Sequence, residues 1–303
     1  MTRRLSGKVA LVTGGGNGVG KEVALSLAAH GASVVVNDLG TTESAEGTDH
    51  RAAEQTVDEI RAAGGGAVAS FDSVATSRGV GNAITIAEDA FGPVDIVVGC
   101  AGALFPGDLS ASDDTWHRFI DLFLAQKFFL ARATVPGMAE RGWGRFITVT
   151  SEGARGTLGN PIFAAAMGGV ISLTKAIAND YRASGVTANS FNPGAATRLY
   201  QATIADWKLK HAAGELTDAM WEAIKAGPGP ASYVAPMVTW LTTDAAAEIT
   251  GQVFTISGGE VSRWTAYEQD RTIFRGDHSN SPPWSLDELD QLVPSRLGTN
   301  PDR

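Results

Sequence analysis

The sequence predicts an α/β protein: a Rossmann-like, doubly wound parallel sheet with helices on both faces. Three observations predict it. Short runs of Val, Ile, Ala and Phe alternate with segments of helical length. A glycine-rich turn, Thr13-Gly-Gly-Gly-Asn-Gly-Val-Gly20, joins the first apolar run to the first amphipathic one. No linker interrupts roughly the first 260 residues of the 303. Repeated strand–helix units of this kind bury a parallel sheet between two helical layers through right-handed crossovers.

The elements follow in order. Val9–Val12 is the first strand, and Lys21–Ala29 the helix after the glycine-rich turn. Ser33–Val36 leads to a helix near Ala52–Ala63, and Ala67–Phe71 leads to Val80–Ala90. Val94–Val98 precedes one long helical stretch from Asp113 to Met138, and Phe146–Thr150 precedes Phe163–Tyr181. Val186–Ser190 precedes helical segments near 200–225 and 231–243, and Val253–Ile256 is the last strand. Ligands on such a sheet bind at the carboxyl ends of its strands. The turns after Val12, Val36, Phe71, Val98, Thr150 and Ser190 therefore share the functional edge. Leu39–Asp49, rich in Thr, Glu and Gly, reads as a polar surface excursion.

Residues 1–261 read as the dinucleotide-binding domain and 262–303 as a C-terminal extension. The extension carries Trp264, Tyr267, Phe274 and Trp284, too aromatic for a free linker. It is expected to pack on the body or on a neighbouring subunit. Ser285-Leu-Asp-Glu288 reads as a capping box, with Trp284 and Leu289 as its hydrophobic staple.

The net charge of -9 is spread along the chain without a basic stretch, which argues against nucleic acid or anionic lipid as a partner. The single cysteine, Cys100, excludes an internal disulfide and fits a reducing compartment. The start of the chain runs into a strand instead of an apolar signal core, and no segment is expected to approach the ~20 apolar residues of a membrane helix. A cytoplasmic protein without a metal site is expected.

In the glycine-rich turn, Gly14, Asn17, Gly18, Val19 and Gly20 lie between a strand and a helix, where a pyrophosphate-binding turn belongs. Glycines there permit the tight turn and let backbone N–H groups approach phosphate oxygens. Asp38 ends the next strand, and its carboxylate would accept hydrogen bonds from ribose hydroxyls. A 2′-phosphate would be repelled at that point, which favours NAD over NADP.

On these motifs the chain, over about residues 5–260, resembles a short-chain dehydrogenase/reductase. In Val-Val-Val-Asn-Asp-Leu-Gly (34–40), the insertion after it, Phe-Asp-Ser-Val (71–74) and Asn-Pro-Gly-Ala-Ala-Thr-Arg-Leu (192–199) it is most similar to the hydroxyacyl-CoA (17β-hydroxysteroid) dehydrogenase unit of the peroxisomal multifunctional enzyme. The resemblance implies Asp72 at the adenine amino group and Ser73 beside the ring. It also implies Pro193, Gly194 and Thr197 along the nicotinamide and pyrophosphate.

The chain departs from the family where the chemistry should be. Gly-Cys-Ala-Gly (99–102) replaces Asn-Asn-Ala-Gly, keeping the small Ala101 and Gly102 near the cofactor and leaving Cys100 as a buried filler. Phe123 stands where the family carries Asn, Phe163 where it carries the acid Tyr, and Met167 where it carries Lys. Phe has no ionisable proton and Met no charge, so the usual phenol–ammonium couple is missing. Ser151 keeps the family's serine place, twelve positions before Phe163 instead of the usual thirteen. Its hydroxyl can bond a carbonyl oxygen but is a poor proton donor without a base. Glu152 either serves as a substitute acid with a raised pKa or is a solvated loop residue beside Arg155.

Three functions remain open on the sequence. The first is an NAD-dependent oxidoreductase with an altered proton route, acting on an apolar or CoA-linked small molecule under a lid at 199–226 that includes Trp207, Ala219, Met220 and Trp221. The second is a silent NAD-binding subunit that partners an active paralogue, and the third a dehydratase, isomerase or cyclase on the same fold. A homotetramer, or a hetero-oligomer with a paralogue, is the expected assembly.

Overall fold

The computed structural model describes residues 3–105, 107–156, 160–265, 267, 271–276, 279 and 281–297. Continuous burial in the central strands follows from apolar residues on both faces. Val9 and Leu11 enter one core and Ala10 and Val12 the other, as a sheet covered on two sides requires. The strands are β1 (Val9–Thr13), β2 (Ser33–Asn37), β3 (Ala67–Ser70), β4 (Ile96–Gly99), β5 (Gly144–Val149), β6 (Val186–Gly194), β7 (Val253–Ser257) and β8 (Glu260–Arg263). They form an eight-stranded sheet in the order β3-β2-β1-β4-β5-β6-β7-β8. The order reverses between β1 and β4, which opens the crevice at their carboxyl ends.

β8 departs from the expectation that Val253–Ile256 ends the sheet. The chain turns at Gly258, whose φ is 54°. It then runs back antiparallel to β7, pairing Ser257 with Glu260 and Phe254 with Arg263. β8 is polar and largely exposed, so no apolar run announces it.

Helices α1 (Gly18–Ala29), α2 (Arg51–Ala62) and α9 (Ala235–Leu241) feed the core around Val12, Leu27 and Val238. Helices α3 (Ser77–Ala90), α5 (Gln126–Glu140) and α6 (Pro161–Asp180) cover the other face with Val80, Leu130 and Ile177. The stretch expected as one helix from Asp113 to Met138 is interrupted. α4 (Asp113–Phe119) passes into a π turn at Ile120–Ala125 before α5 begins. There the Gln126 backbone N–H donates five residues back to Asp121 O. Its side-chain Nε2 donates to the Leu122 carbonyl and to Ala101 O at 3.0 Å, a side-chain insertion into the ladder of the kind that interrupts a regular helix.

The absence of any segment long and apolar enough to cross a membrane was also expected, and α6 corrects it. It has 20 residues and a mean hydropathy of 1.5. Its apolar residues Ile162, Ala166, Val170 and Ile177 are buried in the protein core. A core helix covered by a sheet on one side meets the same length and composition limits as a spanning one.

One register row crosses the sheet at its carboxyl edge. It runs Ser70–Asn37–Thr13–Gly99–Thr148–Ser190 by direct strand pairing. The five side chains are buried and bonded locally: Asn37 Nδ2 to Ser70 Oγ at 3.1 Å, Thr148 Oγ1 to Ser190 Oγ at 2.8 Å, and Ala101 N to Thr13 Oγ1 at 3.3 Å. Gly99 is the gap in this row.

Residues Met1–Trp264 form one compact unit and Thr265–Arg303 a second. In the second, α10 (Leu286–Arg296) starts with the anticipated capping box: Ser285 Oγ accepts from Glu288 N, and the Glu288 carboxylate accepts from Ser285 N. Arg275 pairs with Glu288 at 2.7 Å and lies over the Trp284 ring. Residues 298–303 lie outside the described residues.

Candidate active site

The carboxyl ends of β1, β2, β4, β5 and β6 open into a cleft of about 1010 Å³. At one end the glycine-rich turn forms its floor. Gly14 has a φ of 67°, and a Cβ there would meet the Ala101 backbone at 2.8 Å. A Cβ on Gly20 would fall 2.1 Å from Gly14 O. Only glycine lets the turn close this tightly. α1 begins at Gly18 after an extended Asn17 that supplies no side-chain cap. The N–H groups of the first helical turn are thus left for an anion, where the helix dipole also favours one.

Asp38 sits against this turn. Its Oδ2 accepts from Gly16 N at 2.9 Å and its Oδ1 from Gly40 N at 2.8 Å. Asp72 accepts from Asn82 Nδ2 at 2.7 Å, and its carbonyl accepts from Asn37 at 2.9 Å. Asn17, Gly18, Val19, Ser73, Ala101, Gly102, Pro193, Gly194 and Thr197 line the same cleft. Every residue singled out for the dinucleotide therefore converges on one cavity. The residues suit a pyrophosphate and ribose: uncapped helix N–H donors at one point and an acceptor carboxylate at another. Among the described residues no group of three His, Cys, Asp or Glu is placed to hold a metal ion.

The other end is aromatic. Phe123 and Phe163 meet edge to face with ring centres 5.2 Å apart, and Phe119 lies 5.6 Å from Phe123 and 5.1 Å from Phe105. Met167 is buried in the same cluster, and its carbonyl accepts from Thr150 Oγ1 at 3.2 Å. Phe123, Phe163 and Met167 all line the cleft, and among the described residues no lysine does. Ser151 Oγ accepts from Gly153 N at 3.1 Å, and among the described residues its own proton is committed to no partner. Glu152 also reaches the cleft, but its carboxylate is ion-paired with Arg155 and accepts from Asn192 Nδ2 at 3.5 Å. This is the geometry of a half-exposed, paired carboxylate. The twelve-residue spacing from Ser151 to Phe163 passes through 157–159, which lie outside the described residues.

Some residues were not legible in advance. Tyr200, on α7 (Arg198–Ala212), lines the cleft, but its hydroxyl donates to Ile224 O on α8 (Asp218–Ala226). Burial raises its pKa above the ordinary phenol value. Trp207 crosses Tyr200 at 5.5 Å, so the lid region forms one wall. Of the other lid residues named from sequence, Met220 is exposed, and Trp221 stacks on His211, which bonds Asp218 at 2.8 Å. The 39–49 insertion is not a free excursion. Leu104 N donates to Glu43 O at 2.7 Å, Arg118 donates to Ser44 O at 3.2 Å, and Thr41 and Ala45 line the cleft. Backbone bonding of a polar loop onto a neighbouring loop has no hydrophobic signature, so the sequence hides it.

Cys100, expected as a buried filler, is only partly buried and lines the cleft; desolvation pushes its thiol up to about 12, so it stays protonated. The sequence places no basic group near it; the fold does. Lys127, one turn beyond Phe123 on the buried stripe of α5, is 1% exposed, and its charge acts on Cys100. A Cβ on Gly99 would lie 3.1 Å from Lys127 Cδ and 3.3 Å from Nζ. The lysine thus fills the gap in the polar row.

Fold and cleft together define the class. The family model for short chain dehydrogenases matches residues 8–208, and the chain belongs to that family of generally NAD(P)-dependent oxidoreductases. It is 35% identical over 269 residues to a short-chain type dehydrogenase/reductase of Mycobacterium tuberculosis, covering 88% of each chain. It is 41% identical over 205 residues to peroxisomal multifunctional enzyme type 2 of Drosophila melanogaster, covering 67% of this chain and 34% of that enzyme. The chain thus spans about a third of such multifunctional relatives. Among solved structures it is similar to a short chain dehydrogenase from Mycobacterium avium, with a TM-score of 0.78, 30% identity and coverage of 97% and 96%. A 7α-hydroxysteroid dehydrogenase complexed with NADH and 7-oxo glycochenodeoxycholic acid aligns with a TM-score of 0.73, 28% identity and coverage of 85% and 96%.

Proposed function

We propose that this chain is an NAD-dependent oxidoreductase that acts on a hydroxyacyl-CoA or a steroid-like alcohol or ketone by an altered proton route. One observation carries the reading: a single cleft joins a glycine-floored, carboxylate-marked end to an apolar end large enough for a ring system or acyl chain. Asp38 supports NAD over NADP, since the cationic residues that line the cleft, Arg118 and Arg198, are not bonded to it. Bound NAD would supply the hydride acceptor. Gly14 to Gly20 would hold the pyrophosphate, and Asp38 the ribose. Phe123, Phe163 and Met167 would keep the reacting centre apolar, and Ser151 would hydrogen-bond the substrate oxygen, whose proton would pass to bulk solvent as the hydride leaves. With no phenol–ammonium couple, alkoxide stabilisation falls to that single hydroxyl, so turnover should be slow.

A second reading, a silent NAD-binding subunit of an active paralogue, is favoured by the contact between Phe123 and Phe163, which places two inert rings on the cleft wall. Spectrophotometry of NADH over alcohols, ketones and hydroxyacyl-CoA thioesters tests the first. No turnover, together with intact NAD binding and co-purification of a second dehydrogenase, would move the assignment to the second.

A further inference from the structure

Lys127 is the buried basic group that the proposed chemistry leaves unused. Its Nζ has no hydrogen-bond partner among the described residues, and neither does Oε1 of neighbouring Gln126. The groups that face it are few. From β4 come Gly99, whose backbone it packs against, and the Cys100 thiol, the one titratable group acting on it. Thr13 and Thr148, which flank Gly99 in register, are hydroxyls engaged with Ala101 N and with Thr174 and Ser190. Among the described residues no carboxylate is bonded to the amine or acts on it.

A buried cation without a partner is costly unless charge of opposite sign arrives or the proton leaves. Burial pushes the amine down to about 7, while Cys100 acts in the opposite sense. The residues just beyond Gly99, namely Cys100, Ala101 and Gly102, line the cleft. A dinucleotide held there would add negative charge to the cleft whose floor the amine underlies. The reduced form brings one more net negative charge than the oxidised form, because the nicotinamide ring loses its positive charge.

We propose that Lys127 is a charge-sensing residue beneath the cofactor cleft, which takes up a proton from solvent as NADH binds and so biases the cleft towards the reduced dinucleotide. This rests on the NAD-binding reading above. Lys127 acts through the field it sets under the cleft floor and touches no reacting atom. The coupling is reciprocal: whatever the proton does for NADH affinity, NADH does for the proton.

Calorimetric titration of NADH and of NAD into the wild-type protein and into Lys127→Met tests this. Titrations at about pH 6 and about pH 8.5 bracket the range in which such an amine changes charge. The quantity read is the ratio of NADH to NAD affinity, in which titrations that affect both dinucleotides alike cancel. In the wild type the ratio should fall roughly fivefold or more between the two pH values. In Lys127→Met it should be flat and stay at the high-pH level. NADH binding to the wild type at neutral pH should also take up protons, seen as a heat that varies with buffer ionisation enthalpy. A flat wild-type ratio, or a variant that keeps the wild-type slope, overturns the proposal. Absence of binding by either dinucleotide overturns it too, and marks the cofactor reading as the failure. In that case the apo proteins still show whether Lys127 is a strained buried amine, through their difference in stability against pH.

Discussion

Phe163 and Met167 occupy one face of α6 with no proton to give and no charge to hold. If the cleft has merely lost its acid, Phe163→Tyr with Met167→Lys should raise the NADH-linked rate by about a hundredfold or more, the ordinary contribution of a placed acid. No gain in a protein that still binds NAD would point to a reshaped site. Asp38→Ala removes an acceptor that is already oriented by two backbone N–H groups. It should weaken NAD by about tenfold and narrow the gap to NADP, as calorimetry would read. For Lys127 the sign follows from its lowered folded value. Below about 7 both states carry the proton, so the burial penalty is complete. As pH rises from there towards 10.5 the unfolded chain binds the extra proton and native stability increases. Lys127→Met should therefore gain roughly 2–4 kcal/mol in urea unfolding at acidic to neutral pH, with the gain shrinking towards pH 10. A gain independent of pH would mean the amine is not buried as a charge. Lys127 escaped notice because lysine in an apolar run reads as a solvated residue, and only packing against Gly99 shows otherwise.

At the level of elements, apolar runs made the strands of the unit's centre legible, and the glycine spacing located the cleft's floor. What stayed hidden depended on polar contacts between distant segments. In the π turn the Gln126 side chain reaches Leu122 O, and the 39–49 loop offers its Glu43 and Ser44 carbonyls to Leu104 N and to the Arg118 side chain. Neither leaves a periodic trace. The lid wall rests on the Tyr200 hydroxyl at Ile224 O. Tyr200→Phe should cost about 1 kcal/mol in stability and raise KM for an apolar substrate more than it lowers kcat. Equal loss in both parameters would instead give the phenol a part in the chemistry. Gly14→Ala combines a φ of 67° with a 2.8 Å approach to Ala101. It should abolish NAD binding and lower Tm measurably, whereas a normal affinity would mean that the turn relaxes without strain.

For the molecule as a whole, the two ends of the cleft come from different parts of the chain. β1 and β2 bring the glycine turn and Asp38, while α4, the π turn and α6 bring the aromatic rings. That division explains why the glycine-floored end could be located from a short motif and the aromatic end only from its departures. Phe105, Phe119, Phe123 and Phe163 are spread over 59 positions, from 105 to 163, and meet only once the sheet is assembled. The far edge of that sheet has a consequence of its own. β8 is short, mostly exposed and carries Glu260 and Arg263. A charged outer rung discourages a second copy from docking its own strand there and extending the ladder. Valine at both positions should therefore turn clear solutions turbid on storage, with light scattering as the gauge.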